Sequence, residues 1–180
     1  MSKVTKELSK VKEGATFEVA GYEFIKFSDR DGETIAVSKD YIFRSEFGDN
    51  NNLRESKVLE RLETEVLPKI AEAVGMENIC DIKTDLTTLD GLKPYGEMTS
   101  KISLPTFDFY RENVHIFDKY KLDRWWWLAT PESAQPHSSP SWIVCVSPSG
   151  YVYDLGYNCN YNGVRPFLRF VSSISVSCEE

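Results

Sequence analysis

Histidine and cysteine, the residues that most often build metal and catalytic sites, are scarce in this chain of 180 residues. The two histidines belong to no H-E-x-x-H or similar spacing, and none of the four cysteines forms a C-x-x-C pair. Zinc sites usually show such close spacing. The nucleophile motif G-x-S-x-G and a glycine-rich phosphate loop are also missing. We therefore expect no metal, no cofactor and no enzymatic activity.

Long apolar runs and an excess of basic residues are missing too. No stretch is apolar enough to span a bilayer, and residues 1–7 contain no apolar segment of a signal peptide, so we expect a cytoplasmic protein with reduced thiols and no membrane partner. The formal net charge is −7. This charge argues against direct nucleic-acid binding, which needs a basic surface. It suits ordinary solubility, or docking on the basic groove of a nucleic-acid enzyme.

Aromatic residues, in contrast, are concentrated. Trp125, Trp126 and Trp127 are consecutive, and large aromatics in such a run normally lie inside a core. A strand sends alternate side chains to opposite faces, so this run predicts a central strand covered on both sides and ended by Pro131. Further on, we expect Arg165 to pack its guanidinium on a tryptophan ring while it bonds a carboxylate or carbonyl oxygens.

These segments carry a resemblance to a known family. Residues 126–131 read WWLATP and residues 163–166 read GVRP; LTTLDG at 86–91, YG at 95–96 and KISLPTFDFYR at 101–111 match as well. Together they resemble an uncharacterised domain of gut Firmicutes and their phages, over about residues 14–170. The structural signature consists of Trp125, Trp126, Trp127, Pro131, Gly163, Arg165 and Pro166.

The resemblance implies a fold but no activity, because the family itself is uncharacterised. The implied fold is α+β and similar to C-type lectins and formylglycine-generating enzymes, with an irregular antiparallel sheet and one or two helices. We expect a single domain over residues 1–180. Residues 1–13 would form an N-terminal arm or a short helix, residues 14–171 the globular core, and residues 172–180 a tail.

Local patterns predict the main elements. Apolar alternation with a turn signal predicts a hairpin or meander within residues 17–38. Apolar residues at helical spacing predict a helix over residues 59–74, with Ser56 as its cap, a kink or split at Pro68 and a stop at Gly75.

The second half of the chain predicts a short helix and several strands. Thr106 is a cap candidate for a helix over residues 107–113. The last third predicts a hairpin of residues 141–147 and 151–155, followed by a closing strand over residues 164–171.

Tyrosine and asparagine alternate between Gly156 and Gly163. Tyrosine gives rigid contact area and asparagine adaptable hydrogen bonds, as in antibody paratopes; in a plain loop, asparagine and glycine merely accept left-handed backbone angles. In the implied fold, a second loop at residues 133–140 approaches the same end of the sheet. The predicted ligand-binding residues are Tyr151, Tyr153, Tyr157, Asn158, Asn160, Tyr161, Asn162 and His137.

Three functions follow from these observations. The leading hypothesis is a non-enzymatic binding module of phage or mobile-element origin, in the bacterial host cytoplasm or the phage particle, that recognises a protein or glycan through the C-terminal loops. The alternative is an acidic inhibitor of a host-defence nuclease, of the anti-CRISPR type, that blocks a basic channel. The third, an oxidase of the formylglycine-generating type, would use Cys145 and Cys159. Cys145, however, alternates with apolar strand residues, which favours a packed, inert thiol.

Overall fold

The computed structural model describes residues 3–134 and 141–179. The strands are β1 (Lys3–Glu7), β2 (Thr16–Val19), β3 (Tyr22–Arg30), β4 (Glu33–Ser38), β5 (Phe43–Arg44), β6 (Ile82–Asp85), β7 (Glu97–Ser100), β8 (Trp126–Pro131), β9 (Trp142–Val146), β10 (Val152–Gly156), β11 (Gly163–Val164), β12 (Phe167–Val171) and β13 (Ser175–Glu179). The α-helices are α1 (Lys57–Arg61), α2 (Leu67–Val74), α3 (Phe107–Glu112) and α4 (Val114–Phe117).

The strands form three sheets. The six-stranded sheet has the order β1-β13-β2-β3-β4-β12, the five-stranded sheet has the order β10-β9-β8-β11-β5, and β6 pairs with β7. Nearly all neighbours are antiparallel; β11 runs parallel to β8. The predicted α+β class with mostly antiparallel sheets is confirmed. Where one or two helices were expected, the described residues hold four short α-helices, none long and apolar enough to cross a membrane.

β8 lies in the middle of the five-stranded sheet and is buried along its whole length. Trp127 belongs to the larger hydrophobic cluster, where its ring meets the Phe47 ring edge-on with 5.6 Å between centroids. Trp126 belongs to the second cluster and packs on Phe117 at 5.5 Å. Because strand side chains alternate between faces, the two tryptophans bury opposite sides of one strand. The predicted central strand, ending at Pro131, is confirmed.

The closing segment passes from one sheet to the other. Val164 ends β11 in the five-stranded sheet, and Phe167 begins β12 in the six-stranded sheet. Arg165 and Pro166 form the crossover. The expectation of one continuous strand over residues 164–171 is therefore wrong, because Pro166 lacks the N–H that a strand interior donates.

Arg165 is buried at this crossover and contacts both sheets. Its Cζ lies 4.7 Å from the centroid of the Trp126 ring. Its Nε donates to the Ser38 carbonyl at 2.9 Å and its Nη2 to the Lys39 carbonyl at 3.0 Å. Burial lowers the pKa of Arg165 to about 9, so the guanidinium stays charged at neutral pH. The predicted structural role of Arg165 is confirmed.

The two ends of the described chain pair with each other. β1 runs antiparallel to β13, which also pairs with β2. Leu8 directly follows β1, and its carbonyl accepts from the buried Nζ of Lys26 at 2.9 Å. The same Nζ donates to the Asp29 carboxylate, also at 2.9 Å. Residues 1–13, expected to be an arm or a short helix, contain both β1 and a short 3-10 helix (Leu8–Lys10), and strand β13 replaces the tail expected over residues 172–180. Their pairing partners lie too far apart in sequence for a local pattern to reveal.

The helix predicted over residues 59–74 is divided into α1, a π-helical turn (Leu62–Val66) and α2. The Ser56 hydroxyl accepts from the Leu59 N–H at 3.0 Å. Pro68 lies in the first turn of α2, and Gly75 ends the helix with a φ of 87°. The cap, the split and the stop are confirmed, and the missing N–H of Pro68 explains why the regular ladder is interrupted just before it.

Replacing Trp127 or Trp126 by alanine should lower the free energy of unfolding by about 3–5 kcal/mol, because each change empties a large buried site. Trp142→Ala is the matched control, since its side chain is 46% exposed; it should change stability by no more than about 0.5 kcal/mol. Chemical denaturation followed by circular dichroism measures all three. Equal effects of the three changes would contradict the core assignment.

Candidate functional site

β10 is the outer strand of the five-stranded sheet, and no other strand within residues 3–134 and 141–179 pairs with its second edge. Backbone hydrogen bonds join Tyr151 and Tyr157 to the chain on the β9 side. Because alternate residues of an antiparallel strand bond to the same neighbour, the odd-numbered residues of β10 bond inward. The backbone N–H and C=O groups of Val152 and Asp154 and the N–H of Gly156 therefore point outward, whereas the Gly156 carbonyl accepts from the Cys159 N–H at 3.1 Å.

One face of this edge carries exposed tyrosines. Tyr153 lies opposite Cys145 in the ladder and is 52% exposed. Its ring meets the half-buried Trp125 ring edge-on, with 5.1 Å between centroids. Tyr151, two residues earlier, is 67% exposed. Because residues two apart in a strand share a face, both tyrosines flank the same side of the edge.

The other face carries a tryptophan and carboxylates. Trp142 lies opposite Gly156, and Asp154 lies opposite Val144, which places both side chains on this face. The N–H of Glu132 donates to the Trp142 carbonyl at 2.9 Å. Burial raises the pKa of Glu132, and the charges of Asp154 and Asp90 raise it further. Asp154 therefore shares a face with the exposed indole of Trp142, and its charge and that of Asp90 reach the Glu132 carboxyl.

Most predicted ligand-binding residues are exposed. The exposed ones are Tyr151, Tyr153, Asn158, Asn160 and Tyr161. Tyr157 is half-buried against the core, and its carbonyl accepts from the Phe47 N–H at 2.7 Å. His137 lies outside the described residues. The Tyr/Asn loop between Gly156 and Gly163 therefore presents Tyr161 at the surface and uses Tyr157 to fix its base.

The prediction that Asn162 binds a ligand is wrong, because its side chain is fully buried and cannot touch a ligand at the surface. Its carbonyl accepts from the Ser45 N–H, and the next residue, Gly163, pairs with Trp126 and Arg44. The start of β11 thus draws Asn162 into the core. Its amide oxygen and nitrogen have no hydrogen-bond partner among the residues that the structure describes.

The sequence interpretation missed Trp142, Glu132 and Asp154 as members of the site. A signal for Trp142 and Asp154 was present: both belong to the predicted hairpin, and strand alternation with the correct register would have placed them on one face. The register depends on the turn between the strands, which local patterns did not define. Glu132 follows Pro131 at the end of β8, a position that only the sheet order brings beside Trp142.

The cysteine chemistry of the site is unfavourable to catalysis. Cys145 is fully buried, and burial raises its pKa to about 12. A thiol that stays protonated is a poor nucleophile and a poor metal ligand. Cys159 is half-exposed, and its Sγ lies 3.6 Å from the Tyr161 hydroxyl. Within the described ranges, no three His, Cys, Asp or Glu side chains lie close enough to hold a metal ion.

In the native protein, iodoacetamide should alkylate Cys159 and leave Cys145 unmodified, because reaction needs an accessible thiolate. Peptide mass spectrometry after timed labelling measures both sites. Buried Cys178 is the matched control and should behave like Cys145. In denaturant all of these thiols should react. Native labelling of Cys145 at the rate of Cys159 would contradict its assignment as a packed, inert group.

No family model, no curated protein and no solved structure matches this chain. The resemblance to the phage and Firmicutes domain, and the C-type-lectin-like fold that it implies, therefore stay predictions.

Proposed function

We propose that this protein is a non-enzymatic binding module that captures an extended, basic segment of a partner protein, which adds to the five-stranded sheet as a strand beside β10. The observation that carries the proposal is the free edge of β10. Val152 and Asp154 direct their N–H and C=O groups, and Gly156 its N–H, away from the sheet, where an incoming strand could pair with them.

The side chains around the edge fit such a strand. An added strand projects alternate side chains to both faces of the sheet. On one face they would meet Tyr151, Tyr153 and Trp125, and on the other Trp142. Aromatic residues of this kind dominate the energetics of protein interfaces. A glycan, which stacks on a single aromatic face, would use half of this arrangement.

The charges favour a basic partner. Asp154 lies on the Trp142 face, the charges of Asp154 and Asp90 raise the pKa of Glu132, and the formal net charge of the whole chain is −7. Lysine or arginine side chains of a partner would be attracted by the carboxylates and could lie over the indole of Trp142. Acidic segments would be repelled from the same edge, so the surface would select partners by the sign of their charge.

Asp154→Pro should abolish binding, whereas Asp154→Asn should weaken it by the loss of one charge. Proline removes an outward N–H and leaves the bonds to β9 intact. The probe is a displayed library of random peptides selected on the wild-type protein, which should yield lysine- and arginine-rich, strand-forming sequences. Fluorescence anisotropy of the best peptide should show affinity at least about tenfold lower for the proline variant than for the asparagine variant.

A second pair of variants tests the aromatic contribution. Trp142→Ala should weaken peptide binding by about tenfold or more. Met76→Ala is the control, because Met76 is 45% exposed and lies away from this edge. Equal affinity of Asp154→Pro and Asp154→Asn would contradict strand addition and favour recognition by loop side chains alone. The acidic-inhibitor hypothesis would instead be favoured if reversal of Glu60, Glu63 and Glu65 to lysine abolished partner binding.

A further inference from the structure

A second candidate site, lined by no residue of β10, is a cavity of about 250 Å³. Its walls come from three segments: the end of β6 with the turn that follows, the start of α3, and the end of β8. The lining residues include half of LTTLDG, part of KISLPTFDFYR and the threonine of WWLATP. Three of the motifs singled out in the sequence therefore converge on one cavity, which the proposed function leaves unused.

Backbone hydrogen bonds fix the three segments to one another. The Ala129 N–H donates to the Pro105 carbonyl at 2.8 Å, and the Leu89 N–H donates to the Pro131 carbonyl at 2.9 Å. The Phe107 N–H donates to the Thr130 hydroxyl oxygen at 2.9 Å. The cavity is therefore preformed rather than assembled by loose loops.

The polar side chains that line it are only partly used. One carboxylate oxygen of Asp85 accepts from the N–H and the hydroxyl of Thr87, at 2.9 and 2.6 Å. These bonds lower the pKa of Asp85, so it is ionised at neutral pH. One oxygen of Asp108 lies 3.1 Å from Nη2 of Arg111. The second oxygen of each aspartate has no partner within the described part of the chain.

Two threonines contribute hydrogen-bond donors. The hydroxyl oxygens of Thr106 and Thr130 accept from the N–H groups of Phe109 and Phe107. In neither bond is the hydroxyl the donor, and no acceptor for either hydroxyl proton occurs in the described ranges. The cavity thus presents carboxylate acceptors, hydroxyl donors and the remaining N–H groups of Arg111 together.

We propose that this cavity binds a neutral, polyhydroxylated ring such as a monosaccharide unit. Each hydroxyl of such a ring both donates and accepts, so it can satisfy the carboxylate oxygens and the threonine protons at once. A cation would leave the hydroxyl and guanidinium donors without an acceptor. An anion would be repelled by Asp85 and Asp108. The ring of Phe107 and the side chain of Leu89 supply an apolar wall for the C–H face of a sugar.

The volume sets the size of the ligand. About 250 Å³ lies below the range of roughly 300–1,000 Å³ that is usual for drug-sized ligands. One ring fits better than a chain of rings inside the cavity. Two sources share this chemistry: a free monosaccharide and the terminal unit of a glycan.

Saturation-transfer NMR with glucose, galactose and mannose, each beside its methyl glycoside, tests the proposal on the full chain. At least one sugar should receive saturation and show saturable binding. Binding of the methyl glycoside as well assigns the ligand to a glycan end, and binding of the free sugar alone assigns it to a monosaccharide. Spermidine and inorganic sulfate serve as the cationic and anionic probes.

Asp108→Asn and Asp85→Asn should each lower the affinity for the sugar by at least about tenfold, because each removes charge-assisted hydrogen bonds. Asp108 has a 70% exposed side chain, so its replacement leaves the core intact. Asp123→Asn is the matched control with a 78% exposed side chain, and it should change nothing. Trp142→Ala should also leave sugar binding unchanged, which separates this site from the β10 edge.

Either of two results would overturn the proposal. The first is no saturation transfer to any of the sugars at about 10 mM, a concentration at which a Kd of about 1 mM would leave the cavity about nine-tenths occupied. The second is binding of spermidine or sulfate, but no sugar, in a manner that depends on Asp85 and Asp108.

Discussion

Arg165 has to be buried and charged at once, and much of the architecture is arranged around that requirement. Removing a guanidinium from water is costly unless its N–H groups are bonded. The Ser38 and Lys39 carbonyls at the end of β4 accept two of them, and the Trp126 ring of β8 covers the flat face. Arg165 thereby joins the six-stranded sheet to the five-stranded sheet at the point where the chain crosses between them.

The sequence was informative where one strand or helix decides its own environment. The tryptophan run predicted a strand covered on both faces, and Ser56, Pro68 and Gly75 predicted the cap, split and stop of a helical segment. Such features depend only on residues within one or two helical turns, or within one strand, so they can be predicted from a short stretch of sequence.

Features that depend on distant partners escaped the sequence interpretation. β1 and β13 pair across almost the whole described chain, and the burial of Asn162 follows from the position of β11 between β8 and β5. The tyrosines of the candidate site could be predicted because they are numerous and close in sequence. The effect of Asp90 and Asp154 on Glu132 could not, because these residues come from three segments that only the fold brings near one another. The cavity proposed to bind a sugar ring could not be predicted for the same reason, because its walls come from segments that are far apart in the sequence.

The outward position of Asp154 has a consequence for folding. The β9–β10 hairpin is local and should form early, whereas the β1–β13 pairing closes a very long loop and should form late. During that interval the free β10 edge, with exposed tyrosines beside it, is a template on which another copy could pair. Antiparallel pairing of two copies about Asp154 would set two like charges opposite each other, which destabilises the pair. One carboxylate therefore discourages aggregation of the nascent fold while it leaves the edge open to a basic strand.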